Sequence, residues 1–153
     1  MADIIWTKQQ AQRIMREHGL IDAGWTFAFD RAVRRAGACH FQRKQITLSR
    51  TITGLNGEAE VLDTLLHETA HALAGAAAGH GPEWRRIARR IGCTGQRTAD
   101  FEVPPAKWTT MCAIHGRRGS SNRRRKLICR SCHEQGVRTP ITYVPLDSLA
   151  ATL

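Results

Sequence analysis

His67, Glu68 and His71 stand in the stretch His67-Glu68-Thr69-Ala70-His71, an HExxH pattern. On an α-helix, residues four apart share a face, so both imidazoles can address one zinc ion. Glu68 is then placed to take a proton from a zinc-bound water and return it to a leaving amine, which is the chemistry of metal-assisted peptide hydrolysis. Average residue frequencies produce this pattern by chance in well under about one in a hundred chains of this length. A catalytic zinc keeps three protein ligands and one open position, so a third ligand is needed. His80 is the expected one. It sits in Gly79-His80-Gly81-Pro82-Glu83-Trp84, where two glycines allow close backbone approach and Pro82 suits the first position of a helix. Glu83 is the rival ligand. A metzincin would carry histidine at position 77, where Ala77 stands, and that class is excluded.

A second set of metal-ligating types lies downstream. Cys112 and His115, then Cys129 and Cys132, form two pairs, each with two intervening residues, separated by a basic stretch. Four such ligands close a tetrahedral shell, so a zinc here is structural and holds a small zinc-ribbon module together. His133 offers a substitute for one ligand. The five cysteines are odd in number and contain one close pair, unlike a disulfide framework. Cys39 and Cys93 stand alone beside apolar residues and read as small buried hydrophobes.

These residues need elements to hold them. A helix of about a dozen residues is expected from a cap at Thr7 to a stop at Gly19, with Ala11, Ile14, Met15 and His18 on one face. Residues 25–30 alternate with period two, as do 39–41 and 46–49 around a turn at 42–44, which together predict a small antiparallel sheet. Asn56 and Gly57 punctuate the start of a helix over 58–74, with Val61, Leu62, Leu65, Leu66, Ala70 and Leu73 at helical spacing. A link at 75–81 leads to a helix over 82–91. After Pro104 and Pro105 the chain turns cysteine-containing and arginine-rich. The reading is an α+β, zincin-like catalytic domain over 1–105, a zinc-ribbon module over 106–145 and a tail over 146–153.

The HETAH helix followed by GHGPEW resembles the SprT-like metallopeptidases, the group that includes Spartan. Residues 25–30, Gly37-Ala38-Cys39, 46–49 and Ile91-Gly92-Cys93 are also similar to that family, so the resemblance covers about residues 5–135. It implies a catalytic zinc on His67, His71 and His80, with Glu68 as general base. Some members carry a similar ribbon. For the better-known members it also implies cleavage of proteins attached or crosslinked to DNA.

Charge agrees with such a partner. The 153 residues include 23 basic and 13 acidic ones, a net +10, which favours polyanions. Arg117, Arg118, Arg123, Arg124, Arg125, Lys126 and Arg130 crowd the ribbon, where 116–126 reads as an exposed loop, and suit non-specific contact with a DNA backbone. Arg85, Arg86, Arg89 and Arg90 could extend that surface. No aromatic residues interleave with the ribbon arginines in the linear sequence, so base stacking is not expected. Tyr143, the single tyrosine, is expected in a hydrophobic or interface role. No stretch approaches the roughly 20 apolar residues of a membrane span, and the N-terminus lacks a long apolar region. The expectation is a cytoplasmic, monomeric zinc endopeptidase with one catalytic and one structural Zn2+, acting on a protein substrate, with DNA as a partner and the nucleoid as a place to work. Two rivals remain: a DNA-independent peptidase for a dedicated protein partner, and a non-catalytic zinc and nucleic-acid-binding module.

Overall fold

The computed structural model describes residues 1–96 and 101–146. The chain divides into two compact units, Met1–Pro104 and Pro105–Leu153. In the first, α1 spans Ile4–Glu17. Its cap is Asp3, not Thr7: the Asp3 carboxylate accepts from the amides of Ile5 at 2.8 Å and Trp6 at 2.9 Å. Asp and Thr both cap well, but Asp3 directly precedes the apolar Ile4 and Ile5 and extends the helix by a turn. Thr7 is buried inside it, its hydroxyl donating to the Asp3 carbonyl. Ala11, Ile14 and Met15 face the core.

Strands β1 (Thr26–Asp30), β2 (Gly37–His40) and β3 (Gln45–Ser49) form one sheet in the order β1-β3-β2. A 3-10 turn at Phe41–Arg43, with Lys44 in the left-handed region, closes the β2–β3 hairpin. The expected antiparallel sheet is in fact mixed: β1 runs parallel to β3, Thr26 opposite Gln45 and Asp30 opposite Ser49. Alternation of side chains reports which face is buried and carries no information on strand direction. The 31–36 segment and β2 together carry the chain across, so that β3 returns alongside β1 in the same sense. That segment is pinned where it leaves and rejoins the sheet, by the Ala32 amide on the Asp30 carboxylate at 2.8 Å and the Ser49 amide on the Ala36 carbonyl at 2.7 Å.

A six-residue helix, α2 (Arg50–Leu55), follows, capped by the Ser49 hydroxyl on the Ile52 amide. It is too short to leave a periodic signature. Helix α3 (Glu58–Ala74) starts after Gly57 and stops at Gly75, whose φ of 85° is open to glycine. Glu58 and Glu60 in its first turn complement the helix dipole. It buries Val61, Leu65, Leu66 and Ala70 with Ile14, Met15, Ile46, Leu48, Trp84 and Ile87 in a single core. Full burial of each such large side chain stabilises by about 1.5–3 kcal/mol. Helix α4 (Pro82–Arg90) begins with proline and turns Trp84, Ile87 and Ala88 inward.

The second unit is an antiparallel sheet of β4 (Trp108–Cys112), β5 (Gly116–Ser121) and β6 (Thr142–Pro145) in the order β5-β4-β6, with a short helix α5 (Arg130–Glu134). The stretch expected to be an exposed loop at 116–126 therefore begins as a strand. Its arginines and glycines hide it from propensity, yet an exposed, charged edge is how sheets avoid unwanted pairing. The core of this unit consists of Cys112, Cys129 and Cys132 with Ile141 beside them. So small an apolar core needs another source of stability. Among the described residues no helix is long and apolar enough to cross a membrane. Apart from Leu146, the expected tail lies outside the described residues.

Candidate metal centres

Helix α3 presents His67 and His71 one turn apart. The chain then leaves α3 at Gly75, makes a 3-10 turn at Ala76–Ala78, and passes through Gly79 at φ 49°, a conformation that disfavours any side chain. His80 follows and α4 begins two residues later, so the imidazole is directed back onto α3. The Nε2 atoms of His67 and His80 are 3.0 Å apart, those of His71 and His80 3.1 Å, and those of His67 and His71 3.2 Å. Beneath them lies the fully buried ring of Trp84, with centroids 4.6 Å from His67, 4.7 Å from His80 and 5.3 Å from His71. Glu83 takes no part in the cluster; it is exposed and paired with Arg86 at 2.6 Å.

Three ring nitrogens so placed suit a cation. A tetrahedral zinc with Zn–N bonds of 2.0–2.1 Å separates its nitrogen ligands by about 3.3–3.4 Å, within a few tenths of an ångström of this triangle. Burial, with His67 and His80 close by, pushes the His71 imidazole down to about 4, and burial together with His80 lowers His67. Both rings are therefore held in the neutral form a metal requires.

Glu68 lies on the side of α3 that faces the sheet and is 8% exposed. Burial pushes its carboxyl up to about 7, against the opposing pull of the Arg35 guanidinium and a hydrogen bond from the Cys39 backbone. The close approach of β2 depends on Gly37, where a Cβ would come within 2.8 Å of Glu68 Cγ and 2.9 Å of Leu48 Cδ2. Arg35 is oriented by Asp30 at 2.9 Å, and Asp30 also accepts from the Thr47 hydroxyl at 2.8 Å. Among the described residues β2 pairs only with β3, so its outer edge is open.

In the second unit Cys112, His115, Cys129 and Cys132 converge. Sulfur and Nδ1 atoms lie 3.2–3.8 Å apart, and the Cys112 and Cys132 sulfurs are 3.5 Å apart, too far for a disulfide bond of about 2.05 Å. A tetrahedral zinc with Zn–S of about 2.3 Å separates such donors by about 3.5–3.8 Å, so the four residues fit that ion. Burial raises the Cys112 thiol, but hydrogen bonds from the His115 and Ile114 backbone outweigh it and the net shift is downward, towards the thiolate. His133, the possible substitute, is exposed and outside the group.

The SprT-like family model matches residues 6–107, two thirds of the chain. The chain belongs to the SprT-like family. No curated protein matches it. Membership marks residues 6–107 as a zinc-metallopeptidase-like domain, and this SprT-like match includes both α3 and the turn that carries His80. It ends before Cys112, so the second cluster rests on its own geometry.

In this SprT-like chain the basic residues of the second unit are all exposed: Arg117 and Arg118 on β5, Arg123, Arg124, Arg125 and Lys126 after it, and Arg130 opening α5. Arg130 is paired with Glu134 at 3.0 Å, and Arg118 donates to the Ser131 hydroxyl at 2.9 Å. The structure also brings aromatic rings to the arginines, contrary to the linear reading. The Arg124 guanidinium lies 4.9 Å from the centre of the Trp108 ring, and the Tyr143 hydroxyl both accepts from the Arg125 amide and donates to its carbonyl at 3.0 Å. Arg124, Arg125, Lys126, Arg138, Ile141 and Tyr143 line one groove. The linear reading did not join Arg138 or Trp108 to the arginine run: Trp108 meets it because β4 pairs with β5 and sets Trp108 opposite Ser121, and Arg138 lies two residues before Pro140, which bridges Ile128. On α4, Arg85, Arg86, Arg89 and Arg90 form an exposed face.

Proposed function

We propose that this protein is a zinc-dependent endopeptidase that works on proteins bound or crosslinked to DNA. The convergence of His67, His71 and His80 beside Glu68 supports the chemistry. Zinc held by the three histidines would supply Lewis acidity, polarising the scissile carbonyl and acidifying a water. Glu68 takes the proton of that water and later gives it to the leaving amine. One carboxyl serves both halves of the transfer, first as base and then as acid. The open edge of β2 holds an extended substrate by main-chain hydrogen bonds, next to Glu68 because Gly37 lets strand and helix approach.

The cysteine-rich cluster binds a second, structural zinc as a ribbon. Its arginines and lysine, with Trp108 and Tyr143 among them, recruit DNA largely independently of sequence. The protein acts as a cytoplasmic, nucleoid-associated monomer. The reading is tested by cleavage of a DNA-binding protein by zinc-loaded wild type and Glu68→Gln, with and without single- and double-stranded DNA. Cutting by wild type alone, accelerated by DNA, is expected. Cutting without acceleration would leave a DNA-independent peptidase, and no cutting would favour a binding module.

A further inference from the structure

Helix α4 carries a second basic surface, on the unit that holds the histidine cluster. Its nine residues include four arginines and one glutamate. At about 3.6 residues per turn, Arg85, Arg86, Arg89 and Arg90 gather on the side opposite Trp84, Ile87 and Ala88. Burial follows the same division: the four arginines are exposed, whereas Trp84, Ile87 and Ala88 are buried.

Two helical arginines elsewhere have an acid one turn later: Arg13 of α1 meets Glu17 at 3.1 Å, and Arg130 of α5 meets Glu134 at 3.0 Å. On α4 the residues one turn after Arg85 and Arg86 are Arg89 and Arg90, like charges at the spacing where they repel and weaken a helix. Among the described residues only Arg86 of the four is ion-paired, to Glu83. The helix dipole favours Arg89 and Arg90 in the last turn but gives no reason for Arg85 and Arg86. Arg89 is seated as well as exposed. A Cβ on Gly95 would stand 3.2 Å from its Cγ and 3.4 Å from its Nε, so the chain after α4 lies close along its stem.

A polymer with negative charge at every step suits this surface. Phosphates accept two hydrogen bonds at a time from a guanidinium, and such contact is independent of base sequence. The run from Arg123 to Lys126 in the second unit is a separate basic cluster. An extended polyanion can meet both clusters, whereas an acidic patch on a folded protein is local.

We propose that the exposed arginine face of α4 binds the phosphate backbone of DNA, so that the catalytic unit itself holds the nucleic acid. With its side chains a helix is about 10–12 Å across, and the opposite face of α4 packs Trp84 beneath the three histidines. DNA seated on the arginines keeps an attached protein close to the histidine cluster. The proposal rests on the reading of DNA as the partner of this chain.

The test uses the zinc-loaded full chain and three variants: Arg85, Arg89 and Arg90 all changed to Gln, the same three changed to Lys, and Arg123 to Lys126 all changed to Gln. Binding to a short mixed-sequence duplex and to poly-glutamate is measured over a range of salt, with zinc content and melting temperature. Gln has a helix propensity close to that of Arg, so α4 is expected to persist. The α4 Gln variant is expected to flatten the dependence of log K on log salt by about 2–3 units and to keep both zincs. The Lys variant is expected to retain the slope, which separates charge from packing. Arg85→Gln alone carries the same test, with a change of about 0.9 unit, should the triple variant not fold. An unchanged slope in the α4 Gln variant, where the Arg123 to Lys126 variant flattens it, would overturn the proposal and leave DNA as the partner. Poly-glutamate bound by wild type as tightly as the duplex would overturn it in favour of an acidic protein. If wild type binds no duplex at low salt, the DNA reading itself fails.

Discussion

The Nε2 atoms of His67 and His80 stand 3.0 Å apart although thirteen residues separate them in the chain. Two helices joined by a turn through Gly79 create that approach, and Trp84 of the second helix packs under both rings. His80→Ala is expected to remove the histidine-bound zinc and to lower peptidase activity at least about 100-fold, leaving the cysteine-bound zinc in place. Metal content by mass spectrometry of the intact protein checks this. Glu83→Ala, which loses only an exposed pair with Arg86, is expected to keep both ions.

Glu68→Gln retains the shape of the side chain and loses the base. Zinc binding is expected to persist while turnover falls by about 10²–10⁴-fold. Normal peptide cleavage by this variant would show that Glu68 does not move the proton.

The zinc-free protein has a pH dependence set by the cluster. The His71 imidazole is held near 4 in the fold by burial and by its two histidine neighbours, whereas in the unfolded chain it titrates at its ordinary value of about 6.5. Between those values the unfolded state binds a proton that the folded state refuses, so stability must fall as pH drops from about 6.5 towards 4. Urea midpoints of zinc-free protein at pH 7.5 and 5 measure this, and zinc affinity is expected to fall over the same range because the metal takes only the neutral ring.

The cysteines divide into two reactivity classes. Burial, and then the nearby Glu68 carboxylate, pushes the Cys39 thiol up to about 12, and burial pushes Cys93 up to about 11, so neither carries thiolate at pH 8. Alkylation mapped by mass spectrometry is expected to spare both in the folded protein. Cys112, whose thiol burial raises but hydrogen bonds from the His115 and Ile114 backbone draw down to about 6, is expected to react once a chelator is added and to be protected with zinc present.

Reversing the charges of Arg123, Arg124, Arg125 and Lys126 is expected to weaken DNA binding and to flatten the dependence of log K on log salt by up to about 3–4 units, while both zincs remain bound. Trp108→Ala, which removes the ring under Arg124, is expected to reduce affinity for single strands by about 1–3 kcal/mol and to affect duplex binding less. Isothermal titration at several salt concentrations separates the two effects.

The sequence by itself determined the local chemistry. Helical spacing of Val61, Leu65, Leu66 and Ala70 between Gly57 and Gly75 marks α3, and an HExxH stretch on a helix places two imidazoles on one face whatever the rest of the fold does. The cysteine pairs and the arginine run are likewise visible as spacing and composition, because those properties live within a few residues. Tertiary structure decided what depends on register and direction. Alternation in β1 and β3 shows a buried face but not that the strands run parallel. Nothing near Glu68 in the sequence indicates that Gly37, Cys39 and Arg35 surround its carboxylate, since the sheet brings them there. Trp108 reaches Arg124 only because β4 pairs with β5 and sets it opposite Ser121, and Asp63 reaches Thr94 only because the chain after α4 folds back on α3. Local patterns are set by the geometry of one element, whereas these partners meet only when separate elements pack.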